Sequence, residues 1–93
     1  MSEDNLRTLR DAIDRADDAL LRALAARLKV VALIGEVKRI DGIAAVDPAR
    51  EADLVTAWRT RAAAQGVPPD LAEALLATIL RHTRNIVAGE TDD

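Results

Sequence analysis

Apolar side chains recur along the first forty positions at Leu6, Leu9, Ile13, Ala16, Leu20, Leu24, Leu28, Val31, Ile34 and Val37, separated by three or four residues. That spacing returns them to one face of an α-helix. No proline interrupts the run, and Gly35 is its one weak point, at a cost of about 1 kcal/mol relative to alanine. The pattern predicts a first helix over about 5–40, roughly 50 Å long at 1.5 Å per residue. Gly42 and its neighbours break the period, after which Asp47-Pro48 reads as an N-cap followed by proline at the first helical position. A second helix is expected over about 48–64 and ends at Gln65-Gly66. The turn Val67-Pro68-Pro69-Asp70 leads into a third helix over about 70–88, with Asp70 expected as its cap and 89–93 as a frayed tail.

The chain is therefore expected to be all-α and a single domain, with one long helix and two shorter ones. So long a first helix outruns the other two and leaves apolar surface uncovered in a lone chain. Pairing two chains along their long helices covers it, which predicts an intertwined helical-bundle homodimer.

Composition narrows the chemistry. At 93 residues the chain buries a modest share of its surface alone, which again favours oligomerisation. The absence of cysteine removes disulfides, thiol catalysis and Cys-type zinc sites, and fits a reducing cytoplasm. The polar, acidic start MSEDNLRTLRD does not resemble a secretory signal, and no apolar stretch reaches membrane-spanning length. With a formal charge of −3 and Trp58 as the sole aromatic residue, nucleic acid is not expected as a partner.

Charged residues on helices are usually solvated, and spacing sets a few apart. Arg27 and Lys38 are eleven residues apart, which places them within about 20° on one helix face and about 16 Å apart along the axis. Side chains of roughly 6 Å reach let both converge on a small anion between them. Arg10 lies about 25 Å before Arg27 on the same rigid helix and is out of reach of that anion. If it serves the same site, it does so from a second chain. Asp47, Arg50 and Glu51 cluster at the start of the second helix. Asp47 reads first as a cap and Glu51 as favourable first-turn charge; a second reading makes the cluster an acceptor for a substrate hydroxyl. Thr83 and Val87, four apart on the third helix, read as core positions, the hydroxyl bonding to backbone.

The order of these residues carries a family resemblance. L-x-x-L-R-x-x-I-D-x-x-D spans Leu6 to Asp17, L-L-x-x-L-x-x-R spans Leu20 to Arg27, V-K follows at Val37-Lys38, and V-D-P-x-R-E runs from Val46 to Glu51. The chain resembles the all-helical class of chorismate mutases over nearly its whole length, from Leu6 to Val87. The resemblance implies a homodimer with two equivalent sites, each completed by the first arginine of the other chain. It implies that Arg10 (in trans) and Arg27 clamp substrate carboxylates, and that Lys38 donates to a carboxylate and the ether oxygen. Asp47, Arg50 and Glu51 would surround the ring hydroxyl, with Glu51 the acceptor, and Thr83 would stand near a carboxylate. Where the family places Gln or Glu to donate to the ether oxygen, this chain has Val87, which has no donor.

The implied reaction is the [3,3] rearrangement of chorismate to prephenate, in aromatic amino-acid or related metabolism. It calls for no cofactor, metal, nucleophile or general base, and the lone His82 reads as a surface residue. Catalysis would come from holding the dicarboxylate in a reactive pose and placing positive charge at the breaking ether oxygen. Three alternatives stay open. One is an isochorismate pyruvate lyase of the same fold, another a mutase of the 4-amino-4-deoxy analogue, and the third a non-catalytic interaction or regulatory module. Val87 also leaves room for an activating protein partner that completes the site.

Overall fold

The computed structural model describes residues 2–89 and contains three α-helices: α1 (Ser2–Asp41), α2 (Pro48–Ala64) and α3 (Pro69–Val87). Among the described residues no strand occurs, and no helix is long and apolar enough to cross a membrane. The expected elements are all present. α1 begins at Ser2, three residues before the expected start, with Glu3 and Asp4 in its first turn where negative charge meets the helix dipole favourably. The expected frayed tail falls, apart from Gly89, outside the described residues.

The chain divides into two compact units at Val30/Val31. The first consists of the α1 residues up to Val30, and none of its described residues is buried. Leu6, Leu9, Ile13, Leu20 and Leu21 are exposed, each by close to half or more of its surface. Local contacts there are weak: the Asp18–Arg22 ion pair (2.7 Å) is solvent-exposed and contributes about 0.3–0.5 kcal/mol.

The second unit holds the end of α1, the 42–47 turn, α2 and α3. Its buried apolar residues are Val31, Ala62, Ala72, Leu76, Ile79, Leu80 and Val87. Five of the seven lie on α3 at spacings of three, four and seven, so α3 presents the main core stripe, and α2 packs against it. Leu76 is fully buried at the centre. Arg59 of α2 fastens the pair at one end, donating to Asp70 (2.9 Å) and Glu73 (3.0 Å) of α3.

The helix stops follow one design. Gly42 and Gly66 adopt positive φ (70° and 77°), the left-handed conformation that glycine enters without a Cβ penalty. The backbone N–H groups of Ile43 and Val67 then turn back to Lys38 O and Ala62 O, both at 2.8 Å, closing Schellman-type ends. The α3 start corrects the expectation for Asp70. The helix begins at Pro69, and Pro68 is its N-cap with no side-chain cap bond. Proline at the first helical position has no N–H to satisfy, so Asp70 falls inside the first turn, where it answers Arg59 instead.

Candidate active site

Asp47 has extended backbone (φ −122°, ψ 92°), and its Oδ1 accepts from the Arg50 N–H at 3.1 Å. It is an N-cap, as its position before Pro48 predicts. The cap fixes the first turn of α2 and thereby the directions in which Arg50 and Glu51 leave the helix. Arg50 is exposed, whereas Glu51 is half-buried. Lys38, at the end of α1, is half-buried and donates from Nζ to the Ala45 carbonyl at 3.2 Å, tying the turn to the helix it leaves.

Glu51 is held by a residue of α3 that the sequence pattern does not single out. Arg84 donates from Nη2 to Oε1 at 2.6 Å and from Nε to Oε2 at 3.1 Å, a bidentate pair between α2 and α3. The Arg84 hydrogen bond is the main reason the Glu51 carboxyl lies below the ordinary carboxylate range. Partial burial opposes that shift, the charges of Arg84 and Lys38 add to it, and Asp47 works against it. The guanidinium of Arg84 is in turn held more firmly protonated by Glu51. Lys38, Asp47, Glu51 and Arg84 thus form one electrostatic cluster, of which Glu51 and Arg84 line a groove of about 330 Å³ between α2 and α3 whose walls include Ala52, Val55 and Leu80.

Thr83 is half-buried on α3. Val87 is buried, 5% exposed, and its backbone meets the end of α1: a Cβ on Gly35 would stand 3.2 Å from Val87 Cα, and Arg39 Nη1 donates to Val87 O at 3.3 Å. Gly35 is therefore where two helices approach closely enough that a Cβ would push the α3 backbone back by a few tenths of an ångström, and the cost assigned to it in α1 is set against that approach. Arg10 and Arg27 belong to the first unit, Arg10 exposed and Arg27 half-buried. His82 is exposed.

The sequence pattern of chorismate mutase type II matches residues 9–87, which is most of the chain. The chain belongs to this family. Among its relatives, the T-protein of Enterobacter agglomerans is 47% identical over 78 residues, covering 84% of this chain and 21% of that protein. The T-protein of Haemophilus influenzae is 35% identical with the same coverage. A 4-amino-4-deoxychorismate mutase of Streptomyces pristinaespiralis is 36% identical over 80 residues, covering 86% of this chain and 62% of that protein. The chain thus spans about a fifth of the length of the two T-proteins. The chorismate mutase match runs from within α1 to the end of α3 and includes Lys38, Asp47, Arg50, Glu51, Thr83 and Val87.

Proposed function

We propose that this chain catalyses the rearrangement of chorismate to prephenate. The observation that carries this reading is the cluster of Lys38, Asp47 and Glu51 within one unit of a chain that belongs to the chorismate mutase type II family. One carbon–oxygen bond breaks and one carbon–carbon bond forms within a single molecule, so no group is transferred and no proton need move. The chain's task is to hold the dicarboxylate and to stabilise the charge that develops on the ether oxygen.

In this reading Arg27 and Arg10 of the partner subunit clamp the two carboxylates through bidentate contacts. Lys38 supplies positive charge to the ether oxygen, Glu51 accepts from the ring hydroxyl, and Asp47 and Arg50 line that end of the site. Thr83 stands near a carboxylate, and Val87 contributes shape without a donor. The exposed apolar residues of 2–30 support a homodimer, because a second chain would cover them and bring the second arginine. A chain without cysteine suits a reducing cytoplasm.

A second reading, rearrangement of the 4-amino-4-deoxy analogue, is favoured by the similarity to the Streptomyces pristinaespiralis mutase. The test is to incubate the purified chain with chorismate, its amino analogue and isochorismate in parallel and to identify the products. Prephenate from chorismate supports the proposal. Preferential turnover of the analogue would favour the second reading, and pyruvate and salicylate from isochorismate would identify a lyase.

A further inference from the structure

Glu51 offers two carboxylate oxygens, and Arg84 occupies one direction on each at 2.6 and 3.1 Å. An ionised carboxylate has about four acceptor positions, so each oxygen retains one for a further donor. The pair leaves Glu51 able to accept a hydrogen bond while cancelling most of its charge. Lys38 and Asp47 act on the same carboxylate with opposite signs, Asp47 the more strongly. A donor that approaches Glu51 therefore meets an acceptor whose negative charge Arg84 largely neutralises. A hydroxyl, neutral and in need of one acceptor, suits that acceptor; an ammonium, which gains most from an uncompensated carboxylate, loses much of that gain to the Arg84 guanidinium.

Resting on the proposed rearrangement, we infer that Arg84 is a specificity-determining positioning residue: by pairing with Glu51 it makes the site choose a ring hydroxyl over a ring ammonium. The groove geometry fits this role. Arg84 lies on the groove wall with Glu51, between Leu80 and the end of α3, where it acts on substrate through the carboxylate it orients. The charged groups that act on Glu51 are Lys38 from α1, Asp47 from the preceding turn and Arg84 from α3; Glu73 and Arg81 of α3 line the same groove, with Glu73 paired to Arg59. Arg84 makes the direct hydrogen bonds to it, and its loss lets the carboxyl return toward its ordinary pKa.

The experiment compares kcat/KM for chorismate and for its 4-amino-4-deoxy analogue in the wild-type chain, Arg84→Met, Arg84→Gln and Arg84→Lys, across pH. Far-UV circular dichroism checks that each variant is folded. Arg84→Met should move the chorismate-to-analogue ratio toward the amine by about tenfold or more, the scale of one unscreened charge near the surface. It should also shift the acid limb of the chorismate profile upward in pH. Arg84→Lys, which keeps the charge, should hold the ratio within about threefold of wild type. Should Arg84→Met fail to fold, Arg84→Gln carries the same comparison. A purely structural role would lower turnover of both substrates together, leaving the ratio and the acid limb in place, and would overturn the inference while the proposed function stands. A wild-type chain that prefers the amine would overturn it as well. Turnover of neither substrate by the wild-type chain would overturn the proposed function first and the inference with it.

Discussion

Replacing Gly35 by alanine sets two well-defined effects against each other. In a free helix the substitution is favourable by about 1 kcal/mol, because alanine is the better helix former. Here the new Cβ would stand 3.2 Å from Val87 Cα and 3.4 Å from Arg39 Nη1. The arginine is the end of a flexible side chain and gives way readily. Val87 Cα is helix backbone at a buried position, and it must retreat by a few tenths of an ångström along with the last turn of α3. Overpacking of this kind costs about 1–3 kcal/mol, so Gly35→Ala should destabilise the chain by about 0–2 kcal/mol net. Ala32→Gly, at an exposed position one turn earlier, is the control and should cost only its propensity, about 1 kcal/mol. Urea denaturation of the three proteins at one chain concentration measures both. A Gly35→Ala chain more stable than wild type by the full 1 kcal/mol would refute the close-approach argument.

Four further outcomes are expected. An inactive Arg10→Ala chain mixed with an inactive Arg27→Ala chain should regain chorismate turnover as subunits exchange, because one site of each heterodimer then receives both arginines; exchange shown by mass spectrometry without recovered activity would count against sharing. Lys38→Ala should lower kcat by roughly a hundredfold or more, the scale of losing a preorganised electrostatic donor, and a change confined to KM would reassign Lys38 to ground-state binding. Val87→Gln should raise kcat about tenfold or more if the new amide reaches the ether oxygen, with a stability loss of about 1–3 kcal/mol if it is buried unpaired; a stable chain with flat kcat would show that the missing donor does not limit the rate. Because the folded-state pKa of Glu51 is depressed, its pairing stabilises the chain fully above the ordinary glutamate pKa, and that stability is lost as pH falls through the depressed value. Denaturation midpoints measured down through that range should therefore converge between wild type and Glu51→Gln, and parallel curves would contradict the pairing.

The sequence carried the fold well where local physics decides it. Period-3.6 apolar spacing marked α1, Asp47-Pro48 marked the start of α2, the Val67-Pro68-Pro69-Asp70 turn marked the approach to α3, and Gly42 and Gly66 stopped helices because only glycine reaches their left-handed φ without strain. Asp70 was misassigned because it is a good capping residue in isolation, while the Pro68-Pro69 step starts the helix one residue sooner. Gly35 read as a plain cost because its reason, the backbone of Val87, lies fifty-two residues away. The candidate site was legible as a set of residue types in order, with Asp47 serving as both cap and member of the cluster. Arg84 was not, since no spacing rule connects it to Glu51; only the register in which α2 packs on α3 brings a carboxylate and a guanidinium into bidentate contact. That register is a tertiary outcome of the stripe around Leu76, Ile79 and Leu80.

The most direct test of the account is to follow purified chain and chorismate by proton NMR at neutral pH, with Lys38→Ala alongside. Accumulation of prephenate faster than in enzyme-free buffer, greatly slowed in the variant and without release of pyruvate, is the predicted result. Chorismate that disappears no faster than in buffer at any chain concentration, or turnover that Lys38→Ala leaves unchanged, would contradict it.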